Sequence, residues 1–257
     1  MITFISPAKT LDFSSENKIK DCSTPALLNH SQELIKGLKK LKTNDLQKLM
    51  SISEKLAKLN VERFSDWKLP MNEKESRPAI YAFKGDVYLG IDIEKLKNKE
   101  VSYLQKNIRI LSGLYGVLKP LDNILPYRLE MGTEFKNKKG KNLYAFWKDI
   151  LCQHIIDDDK LSEKSIIVNL ASNEYFKALD NKTLKSNIIT PVFKDWSNGK
   201  YKVISFHAKK ARGLMCRYMA INNIKKTDEL KDFDLEGYKF DSESSSEEEL
   251  VYLRKSA

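Results

Sequence analysis

Leu111-Ser-Gly-Leu-Tyr-Gly-Val-Leu-Lys-Pro-Leu-Asp122, followed closely by Pro126-Tyr-Arg-Leu-Glu-Met-Gly132, is the densest cluster of structural signals in the chain. Gly113 and Gly116 interrupt an otherwise apolar run, and Pro120 closes it. Glycine admits backbone conformations and close approaches that a Cβ blocks. A glycine-bearing turn between apolar flanks either packs tightly in a core or aims backbone N–H groups at an anion. Lys119, Arg128 and Glu130 place charge beside it. The spacing predicts a helix-hairpin-helix-like element, whose hairpin would hold a nucleic-acid phosphate.

Working outward, the chain alternates short apolar runs with amphipathic stretches. Ile2–Ser6 reads as a buried strand, and Ser6-Pro-Ala-Lys-Thr-Leu-Asp12 as the polar loop at its end. Open α/β sheets place ligand groups in such loops, which makes Ser6 and Lys9 candidates for contact with a phosphate or carboxylate. Thr24-Pro25 predicts a helix start, with apolar positions continuing on one face to Leu41. Asn44 with Gln47 predicts a second cap, before one apolar face from Leu46 to Leu59. Ala79–Gly90 reads as strand, broken by Lys84-Gly85-Asp86; charges in a buried segment need a partner or a cleft.

Glu94–Asn107 and Tyr144–Ile156 read as helices. Ser165–Ser172 is a buried strand whose end carries Asn169 and Ser172, either a helix cap or a ligand position. Ile188–Phe193 and Tyr201–Phe206 read as strands joined across Asp195-Trp-Ser-Asn-Gly199. His207–Asn222 is a basic helix. Ala211, Leu214, Met215, Tyr218 and Met219 fall on one face, with Lys209, Lys210, Arg212 and Arg217 opposite. Glu236–Asp241 and Leu250–Arg254 read as a closing strand pair.

These elements predict an α+β or mixed α/β fold over residues 1–257. A single compact domain would carry a mixed sheet, flanking helices and the hairpin element beside a basic cleft. Of the 257 residues, 41% are hydrophobic, enough for a full core, and the net charge is +10. Residues 228–257 hold ten acidic and four basic side chains, a net of −6, so the rest of the chain carries +16. A body this basic favours polyanions or phosphorylated ligands. Three scattered cysteines with no C-x-x-C supply neither a disulfide framework nor a zinc site, in keeping with a reducing cytoplasm. Three distant histidines and no Glu-x-x-His pair predict no metal centre. No apolar run reaches transmembrane length, and no cofactor motif is present.

Several of these stretches, in this order, resemble the YaaA family of bacterial peroxide-stress proteins. They are residues 6–12, Phe83-Lys-Gly-Asp-Val-Tyr88, 111–122, 126–132, Asn169-Leu-Ala-Ser-Asn-Glu-Tyr-Phe176, Ala208-Lys-Lys-Ala-Arg-Gly-Leu-Met215 and Glu236-Gly-Tyr-Lys-Phe-Asp241. Lys119 stands where arginine is also familiar, and His207 in place of tyrosine. The resemblance implies protection against hydrogen peroxide and intracellular iron, and binding of double-stranded DNA in a positively charged cleft. It makes 111–122 the hairpin candidate and Lys9, Lys84, Arg128, Lys209, Lys210 and Arg212 candidates to line the cleft. It transfers no catalytic residues. An enzyme reading stands beside it. Ser6, Asp86, Glu130, Asn169 and Ser172, with Lys9, Lys84 and Arg128, would form a pocket for a small phosphorylated or nucleotide-like substrate.

Overall fold

The computed structural model describes residues 1–14 and 21–255. In chain order, β1 (Ile2–Ile5) and β2 (Thr10–Leu11) precede helices α1 (Leu28–Leu38), α2 (Thr43–Met50) and α3 (Glu54–Asp66). Next come β3 (Arg77–Pro78), α4 (Ala79–Ala82), β4 (Phe83–Lys84), α5 (Asp86–Ile91) and α6 (Asn98–Asn107). Strands β5 (Ile108–Ser112), β6 (Gly116–Leu118) and β7 (Asn123–Ile124) lead to α7 (Leu143–Asp159). The chain continues through β8 (Ile166–Leu170), α8 (Asn173–Phe176), α9 (Asn181–Leu184), β9 (Asn187–Ser197) and β10 (Lys200–Lys202). It closes with α10 (Ser205–Ile221), β11 (Lys239–Phe240) and β12 (Glu249–Arg254).

The main sheet is mixed, in the order β11-β12-β9-β8-β1-β5-β6, with β10 paired to β9. Its central neighbours are parallel: β12 with β9, β9 with β8, β8 with β1, and β1 with β5. Hairpins add β6, β10 and β11 antiparallel. Buried parallel strands read as unbroken apolar runs, and that is why 2–5 and 166–170 were legible. One hydrophobic core runs from Phe4 to Tyr252, so the fold is a compact α+β domain.

Six local expectations change. Residues 111–122 are not helix-hairpin-helix. They form the end of β5, a tight turn and β6, and every residue from Ile108 to Leu118 is buried. Gly116 has φ +73°, and a Cβ there would strike the Trp147 ring; at Gly113 a Cβ would collide with the Leu129 carbonyl. Both glycines serve packing. Residues 79–90 are largely helical rather than strand, because α5 lies directly against α10 and is apolar around most of its girth. The apolar face from Leu46 to Leu59 belongs to two helices. Ser51 turns left-handed (φ 51°), and the Ser53 side chain accepts from Leu56 N to open α3. The cap of α2 is Asp45 reaching back to Lys42 N (2.9 Å), not Asn44. The first helix begins at Leu28 rather than at Pro25, because Ser23 is drawn to Asp122 (2.6 Å). Likewise Ser205 and Phe206 open α10 instead of extending β10.

Candidate anion-binding site

The sheet order changes direction at β1: the chain places β5 on one side of it and, later, β8 on the other. The carboxyl ends of such strands flank a crevice where α/β sheets bind ligands. Ser6 leaves β1 here. Its Oγ donates to Ser172 Oγ (3.3 Å) and accepts from Ser172 N (2.9 Å), joining the ends of β1 and β8. Tyr88 OH donates to Ser6 O (3.1 Å). Asn169 is buried, and its Oδ1 accepts from Ala171 N (3.1 Å), shaping the strand exit. At the end of β5, Ser112 Oγ lies 2.6 Å from Tyr127 OH and accepts from Tyr115 N. The close approach of Gly113 to the Leu129 backbone seats the 126–132 segment over this end of the sheet.

That seating brings Arg128 and Glu130 to Lys9. Glu130 accepts from Lys9 Nζ (3.2 Å) and from Arg128 Nη2 (2.9 Å). Arg128 Nε is buried and has no partner among the described residues. The guanidinium of Arg63, in the last turn of α3, makes no hydrogen bond or ion pair with a described residue; burial, and then the charge of Arg128, lowers its pKa. Two cations therefore share one carboxylate, with a third, Arg63, close enough to Arg128 for its charge to be felt. Lys84 is held next to this group by the β2–β4 ladder, which pairs it with Thr10, but its ammonium faces Asp12 (3.7 Å). Hydrogen bonds from the Ser14 hydroxyl and N–H, with the charges of Arg77 and Lys84, hold the Asp12 carboxyl below its ordinary value. Asp86 opens α5, half-buried, with no ion pair among the described residues.

The remaining predicted cations lie apart or are engaged. Lys119 pairs with Asp158 (2.9 Å), in a patch where Arg109 also binds Asp159. Lys210 pairs with Glu236. Arg217 donates to the carbonyls of Ile91 and Asp92 (3.1 Å each), closing the end of α5. Arg212 is largely buried, which lowers its pKa, and only Lys209 stands freely in solvent. The basic face of α10 is thus mostly consumed by the protein itself.

The sequence reading missed Arg63 and a floor of three buried phenols, Tyr88, Tyr127 and Tyr175. Burial raises the pKa of each, and the hydroxyls lie close enough to perturb one another. Tyr175 also faces Glu130 and receives the Met131 N–H. Each of these tyrosines sits inside a motif already noted, which was the available signal. Glu174, at the same strand end as Asn169 and Ser172, has a further role: its Oε1 accepts from Gly132 N (3.0 Å) and pins the far end of the segment.

Thiol chemistry has no place in this site. Burial pushes the Cys216 thiol up to about 12 and raises that of Cys152. Neither thiol therefore alkylates in native protein at pH 8, whereas both do in urea. Mass spectrometry after iodoacetamide treatment checks this, and rapid native labelling of Cys216 would refute the buried placement. Among the described residues, no three His, Cys, Asp or Glu side chains are grouped to hold a metal ion.

Comparison with known proteins places this geometry in a family. A UPF0246 protein of Idiomarina loihiensis is 50% identical over 254 residues, covering 99% of this chain and 98% of its own. A UPF0246 protein of Marinomonas sp. is 52% identical over 250 residues, covering 97% and 95%. The family model described as peroxide stress protein YaaA matches residues 1–244, which include every segment that builds the crevice. The chain therefore belongs to the YaaA family of peroxide stress proteins.

Proposed function

We propose that this peroxide stress protein works in the cytoplasm by binding double-stranded DNA through the basic crevice, limiting oxidative damage driven by iron and hydrogen peroxide. The observation that supports it is the pairing of two cations, Lys9 and Arg128, with the single carboxylate of Glu130, while Arg63 lies close enough to Arg128 for its charge to be felt. A phosphate would add negative charge beside these cations. Backbone phosphates carry no sequence information, so unrelated duplexes should bind alike and lose affinity steeply with salt.

A second reading is favoured by one further observation. Ser6 and Ser172 meet at the switch point of the sheet, beside the same cations. That arrangement suits a small phosphorylated or nucleotide-like ligand held for chemistry. One titration separates the two. In a salt series with a fluorescent duplex, Arg63→Ala/Arg128→Ala should shallow the slope of log K against log salt by about 2. If wild type ignores duplex at low salt but its melting temperature rises with nucleotides or sugar phosphates, the enzyme reading takes over. If neither ligand registers, the crevice is not an anion site.

A further inference from the structure

Outside the crevice, the largest departure from an ordinary surface lies where β9 and β10 leave the sheet. Four large apolar side chains within eleven residues are open to solvent: Trp196 (41%), Tyr201 (37%), Val203 (54%) and Phe206 (60%). Contiguous exposed apolar surface marks an interaction site more often than a random excess. The ribbon is well built. Asn198 and Gly199 both take positive φ (54° and 78°), as two-residue hairpin turns require. Trp196 is registered against Tyr201, and their rings meet edge to face at 5.0 Å.

The charge on this ribbon has one sign. Lys194 lies on the aromatic face, two residues from Trp196, and Lys255 Nζ stands 5.4 Å over the indole. Lys200 and Lys202, registered against Ser197 and Asp195, occupy the other face. The only carboxylate in residues 194–203 is Asp195, which is buried and bound to Arg254 and Tyr238. Exposed Lys209 follows one helical turn beyond Ser205. Lysines on both faces argue against burial in lipid, because either face would carry charge into hydrocarbon. Aromatic rings interleaved with lysines are what single-stranded nucleic acid meets on its binding proteins: rings for bases, ammonium groups for phosphates.

We propose that the β9–β10 ribbon and the first turn of α10 form a docking surface for nucleic acid with unstacked bases. Trp196 and Tyr201 stack on bases, while Lys194 and Lys255 on the same face, with Lys209 beyond them, follow the phosphates. This rests on the nucleic-acid reading above and adds a preference for frayed or single-stranded regions over intact duplex, by contacts the crevice does not supply.

The test uses the full chain with a labelled 20-nucleotide single strand and its duplex, measured by anisotropy across a salt series. Wild type should bind the single strand more tightly. Trp196→Ala/Tyr201→Ala should lose about tenfold or more of single-strand affinity, with the salt slope unchanged and duplex affinity nearly retained. Lys194→Ala/Lys255→Ala should instead shallow the single-strand slope by about 1.4. The substituted side chains are exposed or half-buried, and unchanged far-UV circular dichroism would show that the variants fold. Single-strand affinity unaffected by the aromatic pair overturns the ribbon assignment and leaves the crevice reading standing. Failure of wild type to bind either nucleic acid overturns both. Ribbon-dependent binding to vesicles of phosphatidylglycerol and phosphatidylcholine, without oligonucleotide binding, makes the surface a membrane contact. A wild-type dimer that the aromatic variant converts to monomer makes it a contact between copies.

Discussion

Gly213→Ala should lower unfolding free energy by about 3 kcal/mol in a urea titration followed by circular dichroism. The cost is steric and has no easy relief. α5 and α10 touch through two glycines, and their backbones meet where side chains would normally separate them. A Cβ on Gly213 would collide with the carbonyl of Val87, and one on Gly90 with the carbonyl of Lys210. Both obstacles are main chain, so neither can swing aside as a side-chain tip would. Separating the helices would open the contact beneath Tyr88, whose hydroxyl holds the Ser6 carbonyl. The same variant should therefore weaken crevice ligands as well as the fold. Gly85→Ala is the internal control, because its new methyl would meet only the Ala8 side chain at 3.1 Å. A Gly213→Ala midpoint equal to wild type would mean the helices do not cross this closely.

Asp195→Ala should cost about 3–5 kcal/mol, by a different route. Asp195 is 1% exposed and accepts from Arg254 Nε (2.6 Å) and Tyr238 OH (2.9 Å). His207 Nδ1 lies 3.4 Å away, without hydrogen-bond alignment. The carboxylate thus fastens β9 to β12 and to the segment entering β11, while the Arg254 guanidinium lies over the Tyr238 ring at 4.4 Å. Among the described residues, alanine would leave that guanidinium only the more distant Glu236 (3.5 Å) as an ion-pair partner. Most of the loss comes from the orphaned charge rather than from the bond itself. The double variant Asp195→Ala/Arg254→Met should recover a large part of it. If the double variant is as unstable as the single, the loss is packing, and the ion-pair account fails.

The sheet could be read ahead of the structure wherever burial on both faces erased periodicity and left a plain apolar run, as in β1 and β8. α7 and α10 announced themselves by their helical period. Residues 79–90 did not, because a short helix apolar around its girth has the composition of a strand. Gly113 and Gly116 misled for a related reason. The spacing of two glycines does not say whether the freedom they grant is used to approach a phosphate or the Leu129 and Trp147 side of the core.

Among the predicted site residues, the structure brings Ser6, Lys9, Arg128, Glu130, Asn169 and Ser172 to one end of the sheet, since each follows or faces a strand end. Lys84 lies beside them. Lys119 and Lys210 are ion-paired, and because their partners, Asp158 and Glu236, are dozens of residues away, nothing local records such a pairing. Arg63 was hidden by the apolar pattern of its own helix.

The central position of β1 also sets a schedule for synthesis. Both its neighbours come from far downstream: β5 begins at residue 108, and β8 ends at residue 170. At translation rates of about 5–20 residues per second, the strand waits roughly 8–30 s for its second partner. Throughout that interval Ile2–Ile5 is an open, apolar template on the nascent chain, available to any other extended segment. The architecture that centres the crevice on β1 therefore makes it the sheet strand that waits longest for its second neighbour, and ties clean folding of this stress protein to whatever shields residues 2–5 at the ribosome.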